Sequence, residues 1–539
     1  MYARYRTRFF FAAILLLSLA LRLWGIDWGL PSQTHYFSYH PDESVVLGVA
    51  LGMNSLQGKL LPHFYNYGSL QIYLVNFADT FGYLFGAAPT LTPDPAAHPN
   101  QFARLYLIGR LLSALMGVGT VAALYAAGKS LWGRRAGLAA AALLAIAPLH
   151  AQHSHWLTVD VPGAFWATLS LLFAAKVLKD ERFSWRGVLA SAIFAGLAAA
   201  TKYNLALSLL PLLAALWLRG SSERRQAVAG ALGAIGAFAA AFVAACPGSV
   251  LESAKFIADI QYEALHVSQQ PGDTFSNTGS GFVYHIVTNL SAGLGWPLLL
   301  AALASIVWAA KRRSQGDGLL AAFALPYYLL IGLAAVRYAR YALPLIPILC
   351  LWAGRAIADI SLAKTANTQR LGLACALTIS ALTFGWTIIL IAPMSQADPR
   401  DLALAWIQSR TNLGIQTAFP TMPWFQTAPL SPYFCAPRPG TWKQIQIATD
   451  DERILYRNKD WDSATAQQQH PTFVVLSQYD TRDALRLGNK DAEQYMAMLS
   501  SDYRLGAQFG GYRLFGGPVL TLPHDMLYAN PNISLYVKR

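Results

Sequence analysis

The feature that most constrains this chain is a train of apolar segments, each close to the length that crosses a bilayer. A crossing helix needs about 20 mostly apolar residues, because lipid offers no partner for a bare backbone N–H or C=O. Residues 9–25, 105–127, 131–149, 161–177, 187–200, 205–218, 228–245, 290–310, 319–336, 343–358 and 371–392 fit that description. They amount to about eleven spans. Only 13% of the 539 residues are charged and 55% are hydrophobic, whereas soluble domains carry about 25% charged residues. The expected fold class is therefore mainly α, a polytopic helical membrane protein.

The net charge of +13 raises nucleic acid as a partner and then excludes it, because the cations sit in short connectors. Lys129/Arg134/Arg135, Lys176/Lys179/Arg182/Arg186, Arg219/Arg224/Arg225, Lys311/Arg312/Arg313 and Lys364/Arg370 fall in alternate connections. That is the pattern of cytoplasmic loops under the positive-inside rule. It puts the N-terminus in the cytoplasm. The basic Arg4, Arg6 and Arg8 precede the first apolar run, and no small-residue cleavage site follows it; it reads as an uncleaved first span. The segment His63–Phe85, broken by Gly68 and several polar residues, is expected at the interface and not across it.

The division expected is a membrane domain over 1–393, with a long first outer loop at 26–101, and a soluble extracytoplasmic domain over 394–539. After about residue 394 polar residues and prolines rise and no further span appears. Helices are expected at 402–408 and 492–499 and strands at 472–476 and 533–537, making an α/β unit of roughly 145 residues. Four cysteines are too few for a disulfide framework. Cys350 and Cys375 lie in apolar segments; Cys246 and Cys435 both fall outside, where one bridge is open to them.

This topology brings chemistry-bearing residues to the outer face. The first loop supplies His40-Pro41-Asp42-Glu43, the next His150, His153, His155 and Asp160, and the third Lys202-Tyr203-Asn204. The loop 246–289 adds Glu252, Asp259, Glu263, His266 and His285, and Arg337 with Arg340 precede the 343–358 span. Each has a plain structural reading as well. Pro41, Asp42 and Glu43 suit the first turn of a helix, Lys202 suits a snorkelling span end, and Asp160 suits an N-cap. Arg337 and Arg340, three apart, share a face if helical, and two such cations suit a phosphate. His155 and Asp160 are weak candidates for a divalent metal, since His and carboxylate suit such an ion. Acids that take a proton beside cations that hold a phosphate fit group transfer from a membrane-held phosphate to a hydroxyl.

The chain resembles the GT-C membrane glycosyltransferases, in the lineage of the protein O-mannosyltransferases and aminoarabinose transferases. The motifs are H-P-D-E at 40–43, Y-N-Y-G-S-L-Q-I-Y-L after it and R-L-L-S-A-L at Arg110–Leu115. L-T-V-D-V-P at Leu157–Pro162, G-L-A-A-A-T-K-Y-N at Gly196–Asn204 and R-Y-A-R-Y-A-L-P-L-I-P at Arg337–Pro347 continue the series. The resemblance implies a GT-C fold and a polyprenyl- or dolichyl-phosphate sugar donor, used on the outer side with inversion. It implies that Asp42 is the base for the acceptor hydroxyl and Glu43 its catalytic partner. His40, Asp160, Lys202, Tyr203, Arg337 and Arg340 are the implied substrate-binding set. A divalent metal stays open as a cofactor. The acceptor stays open among protein, lipid and glycan, and the setting implied is a bacterial inner membrane. The other reading is a transporter or flippase of a lipid-linked sugar; the absence of a visible repeat and the scarcity of charges within spans weigh against it. A membrane scaffold leaves the acids and outward cations without a role.

Overall fold

A computed structural model describes residues 2–87, 94–219, 224–410, 416–431, 454–455 and 459–539. Helix α1 (Tyr2–Leu23) opens the chain and is followed by α2 (Pro41–Gly52) and α3 (Leu70–Leu84) in the first long loop. Proline at the first helical position starts α2, with Asp42 and Glu43 in its first turn, where an orphan N–H is absent and the helix dipole favours acids. Helix α3 has 15 residues, short of a crossing. It buries Gln71, Asn76 and Asp79 and exposes Phe77 and Phe81.

The long α4 (Pro99–Trp132) begins on a proline and ends at Gly133, whose φ of 90° an L side chain resists. Then come α5 (Arg134–Ala145), α6 (Pro148–His153), α7 (Asp160–Lys179), α8 (Trp185–Thr201), α9 (Leu210–Arg219) and α10 (Arg224–Ala245). Small residues set the packing here. A Cβ on Gly128 of α4 would meet the Gly137 Cα of α5 at 2.9 Å, and one on Gly354 would meet the Ala140 backbone at 2.5 Å. Close backbone approach of this kind is how helices gain contact in lipid, where burying apolar surface is not itself a driving force.

Beyond α10 the chain makes a short α11 (Gly248–Leu251) and α12 (Ser253–Gln269), a helix with no fully buried residue. Helices Trp296–Arg312, Gln315–Leu333, Leu345–Ile360 and Ala366–Ile391 complete the bundle. Among the described residues five stretches are long and apolar enough to cross a membrane: Pro99–Trp132, Asp160–Lys179, Arg224–Ala245, Gln315–Leu333 and Ala366–Gln408. The other expected spans are helical and, apart from the 22-residue α1, shorter, so the count of about eleven crossings continues to rest on the charge pattern.

After Ala392–Ser395 the chain leaves the bundle. Helix Pro399–Gln408 leads into a five-stranded sheet of order β2-β1-β3-β5-β4, formed by β1 (Thr417–Ala418), β2 (Ile454–Leu455), β3 (Phe473–Ser477), β4 (Tyr503–Phe509) and β5 (Ile533–Lys538). Strand β3 pairs in parallel with β1 and antiparallel with β5. The expected strands at 472–476 and 533–537 are β3 and β5, and the expected helix at 492–499 is Lys490–Asp502. A mixed cluster that includes Trp28, Tyr39 and Trp156 from the first half and Phe425, Tyr528 and Leu535 from the second welds this unit to the bundle. Within it the Arg400 guanidinium is fully buried, forked onto Asp398 and bonded to the carbonyls of Phe425 and Tyr528. Cys246 is buried and unbridged, and Cys435 lies outside the described residues.

Candidate functional site

Adjacent helical residues point about 100° apart, and at the start of α2 that angle separates two acids. Glu43 turns inward and is 0% exposed. Its Oε1 accepts from Arg110 Nε at 2.8 Å and from the Leu157 backbone N–H at 2.7 Å. Its Oε2 accepts from Arg110 Nη2 at 2.7 Å and from the Ser38 hydroxyl. Burial pushes this carboxyl up, but the Arg110 guanidinium and its hydrogen bonds outweigh that and hold it below the usual range. Arg110 also donates to the carbonyls of Ile26 and Trp28. The Glu43–Arg110 fork therefore ties α2, α4 and the first loop together, and neither side chain is solvent-accessible.

Asp42 turns the other way, into a cavity of about 700 Å³. The same cavity is lined by Asp160, Lys202, Tyr203, Arg340, Glu263 and His266. Asp160 is the first residue of α7 and Lys202 the residue that ends α8. Their side chains meet at 2.6 Å, and the Lys202 ammonium lies 4.8 Å from the Tyr341 ring. The Tyr203 hydroxyl reaches the carbonyls of Tyr65 and Tyr67 at 2.9 and 3.0 Å, so it pins the loop that brings Asn66 and Tyr67 to the wall. Asp42 beside it, with burial, raises the Tyr67 phenol and keeps it protonated. Burial likewise raises the Glu263 carboxyl.

Arg340 closes the ring from a short 3-10 turn, Ala339–Ala342. Its Nη2 is 3.3 Å from Asp42 Oδ2 and its guanidinium carbon 3.9 Å from the Tyr338 ring centroid. Asp525, from the C-terminal unit, accepts both backbone N–H groups of Ala339 and Arg340 at 2.9 Å and lies 3.8 Å from Arg340 Nη1. One wall of the cavity is apolar: Ile260 and Val267 of α12 with Leu330, Ile331, Leu333 and Ala334. The site so built has one carboxylate held beside a guanidinium, a lysine–aspartate pair across from it, and a greasy flank.

Several expected positions sit elsewhere. Arg337 does not share a helix face with Arg340, because the chain is extended there; it donates instead to Thr278 Oγ1 and the Gly279 carbonyl at 2.7 Å. His40 is buried between the rings of Trp156 and Tyr528, 4.5 and 4.8 Å away, and does not line the cavity. His155 turns its ring nitrogens to the carbonyls of Ala151, Gln152 and Trp24 and does not line the cavity. Among the described residues no group of three or more His, Cys, Asp or Glu is arranged to hold a metal ion. Asp525 escaped the sequence reading, and the tyrosines at 67, 338 and 341 entered it only within motifs, with no site role. Asp525 stands in P-H-D-M-L-Y, a run with no spacing that separates it from any other loop acid.

Comparison with known proteins follows the geometry. A family model described as dolichyl-phosphate-mannose-protein mannosyltransferase matches residues 106–248, a segment with Asp160 and Lys202 but not Asp42 or Arg340. The structure is similar to that of ArnT from Cupriavidus metallidurans in the apo state, with a TM-score of 0.53 at 14% identity, covering 99% of this chain and 98% of that one. The same protein bound to undecaprenyl phosphate gives 0.53 at 14% identity, covering 97% of each. The archaeal oligosaccharyltransferase AglB from Archaeoglobus fulgidus, in complex with an inhibitory peptide and a dolichol-phosphate, gives 0.54 at 14% identity, covering 98% of this chain and 77% of that one. No curated protein matches the sequence. The structural matches meet the expected helical fold, and the family model over residues 106–248 agrees with the glycosyltransferase class that the motifs imply. With its membrane-length apolar helices, the chain is an integral membrane protein.

Proposed function

We propose that this chain, which has the fold of the GT-C glycosyltransferases, transfers a sugar from a polyprenyl-phosphate donor to an acceptor hydroxyl at the outer face of a bacterial inner membrane. One observation carries the reading: Asp42, Lys202 and Arg340, far apart in sequence, line one cavity with an apolar flank. The flank suits a lipid tail, the two cations suit a phosphate, and the carboxylate suits a hydroxyl proton.

In this reading the acceptor oxygen attacks the anomeric carbon from the face opposite the phosphate. The new C–O bond forms as the bond to the phosphate oxygen breaks. Asp42 takes the hydroxyl proton, and Lys202 and Arg340 hold the departing polyprenyl phosphate, whose charge develops as the bond breaks. Asp160 holds Lys202 in place, and Tyr203 fixes the loop with Asn66 and Tyr67. Glu43 is a positioning residue: both its oxygens are committed to Arg110, Ser38 and Leu157, so it aims the turn that carries Asp42. The acceptor is a protein, lipid or glycan hydroxyl.

The test is transfer from radiolabelled polyprenyl-phosphate hexoses and pentoses by the purified protein in liposomes with envelope extract as acceptor. Label moving from the lipid to an acceptor supports the reading. Label moving only between leaflets, still on its lipid, replaces the transferase with a flippase.

A further inference from the structure

Among the described residues none of the C-terminal unit lines the cavity, yet one of its carboxylates reaches the turn that carries Arg340. Asp525 is 0% exposed. Its two oxygens accept the two N–H groups that open the turn bearing Arg340, and Oδ2 also faces Arg340 Nη1. The guanidinium is thus fixed on three sides, by Asp525, by Asp42 and by the Tyr338 ring beneath it. Its Nη1, turned toward Asp525 at 3.8 Å, is buried and makes no hydrogen bond.

The segment carrying Asp525 is itself clamped. Arg482 donates to the Leu522 carbonyl at 2.7 Å, Tyr479 to that of His524 at 3.0 Å, and Gln152 of the bundle to that of Met526 at 3.1 Å. A carboxylate held this firmly does more than cap a four-residue turn, since site geometry depends on the rigidity of what supports it.

We propose that Asp525 is a positioning residue that aims Arg340 at the donor phosphate, which makes the C-terminal domain part of the transfer site. The inference rests on the donor reading given above. Removing the charge frees the turn and lets Arg340 collapse onto Asp42, so the phosphate loses one of its two cations.

The experiment measures undecaprenyl phosphate binding by the full-length protein in detergent, beside transfer in liposomes, for wild type, Asp525→Asn, Arg340→Gln and the double variant. Asp398→Asn serves as comparator, because it removes another buried carboxylate of the same domain that pairs with Arg400 and not with Arg340. Asp525→Asn is expected to weaken binding about 10-fold or more, the scale of a lost charge-assisted hydrogen bond. In the Arg340→Gln background the same change is expected to cost little, as coupled residues are non-additive. Asp398→Asn is expected to lower the unfolding midpoint and leave binding alone. If Asp525→Asn does not accumulate, Asp525→Ser, which still accepts one backbone N–H, takes its place. Multiplying effects in the double variant, equal weakening by Asp398→Asn, or unchanged binding in Asp525→Asn each overturn the proposal. A wild type that binds the lipid phosphate but transfers no sugar overturns the transferase reading alone, and the binding series still decides Asp525.

Discussion

Replacing Glu43 separates chemistry from scaffolding at the acidic motif. Glu43→Ala removes the partner of a guanidinium whose side chain, like its own, is 0% exposed. Three hydrogen bonds of 2.7 to 2.8 Å and the Glu43–Ser38 contact disappear, and Arg110 keeps the carbonyls of Ile26 and Trp28 and a 3.3 Å bond to the Ser38 hydroxyl. Breaking one side of such a buried pair costs about 3–5 kcal/mol. Glu43→Gln keeps the shape and loses the charge, so it should fall between. Glu43→Leu with Arg110→Met removes both charges together and should recover part of the loss. The assay is thermal unfolding in detergent, followed by tryptophan fluorescence, with sugar transfer per folded molecule measured on the same samples. The positioning reading expects stability to fall in the order Gln then Ala, with recovery in the double variant. A Glu43→Gln protein as stable as wild type but without transfer would refute it and return Glu43 to a chemical role.

Other consequences are open to the same assays. Lys202→Met should raise the donor KM and, by leaving Asp160 buried and unpaired, lower stability by about 3 kcal/mol; adding Asp160→Asn should restore stability but not the donor KM. Arg337→Ala should change the donor KM less than about twofold, since its guanidinium is spent on Thr278 and Gly279. Burial pushes His40 and His524 down to about 3 and His153 to about 4, against about 6.5 in an unfolded chain. Between those values the unfolded state binds more protons, so the unfolding midpoint should fall as pH drops from about 6.5 toward 4. A midpoint flat across that window would refute the neutral, buried assignment.

The bundle was legible because lipid demands it: apolar length and connector charge are one-dimensional signals. The strands around Val474 and Leu535 were legible for the same reason, each a short apolar run between polar turns. The site was half legible. Asp42, Asp160, Lys202 and Arg340 could be gathered because topology alone puts them on one face. Glu43 and Asp42 look alike in sequence, and only the 100° step between them sends one to Arg110 and the other to the cavity. Arg337 and Arg340 share a face only in a helix, and the chain is extended until the turn at Ala339. Asp525 lies 185 residues from its partner, beyond the helical bundle, and no local pattern encodes such a meeting.

The most direct test of the site is sugar transfer from a labelled polyprenyl-phosphate donor by wild type and Asp42→Asn, with donor binding measured in parallel. Loss of a general base costs about 10²–10⁴ in rate. The expected result is transfer by wild type and at least a hundredfold less by Asp42→Asn, with donor binding preserved because Lys202 and Arg340 remain. Transfer by Asp42→Asn at the wild-type rate would contradict the assignment of Asp42 as the base.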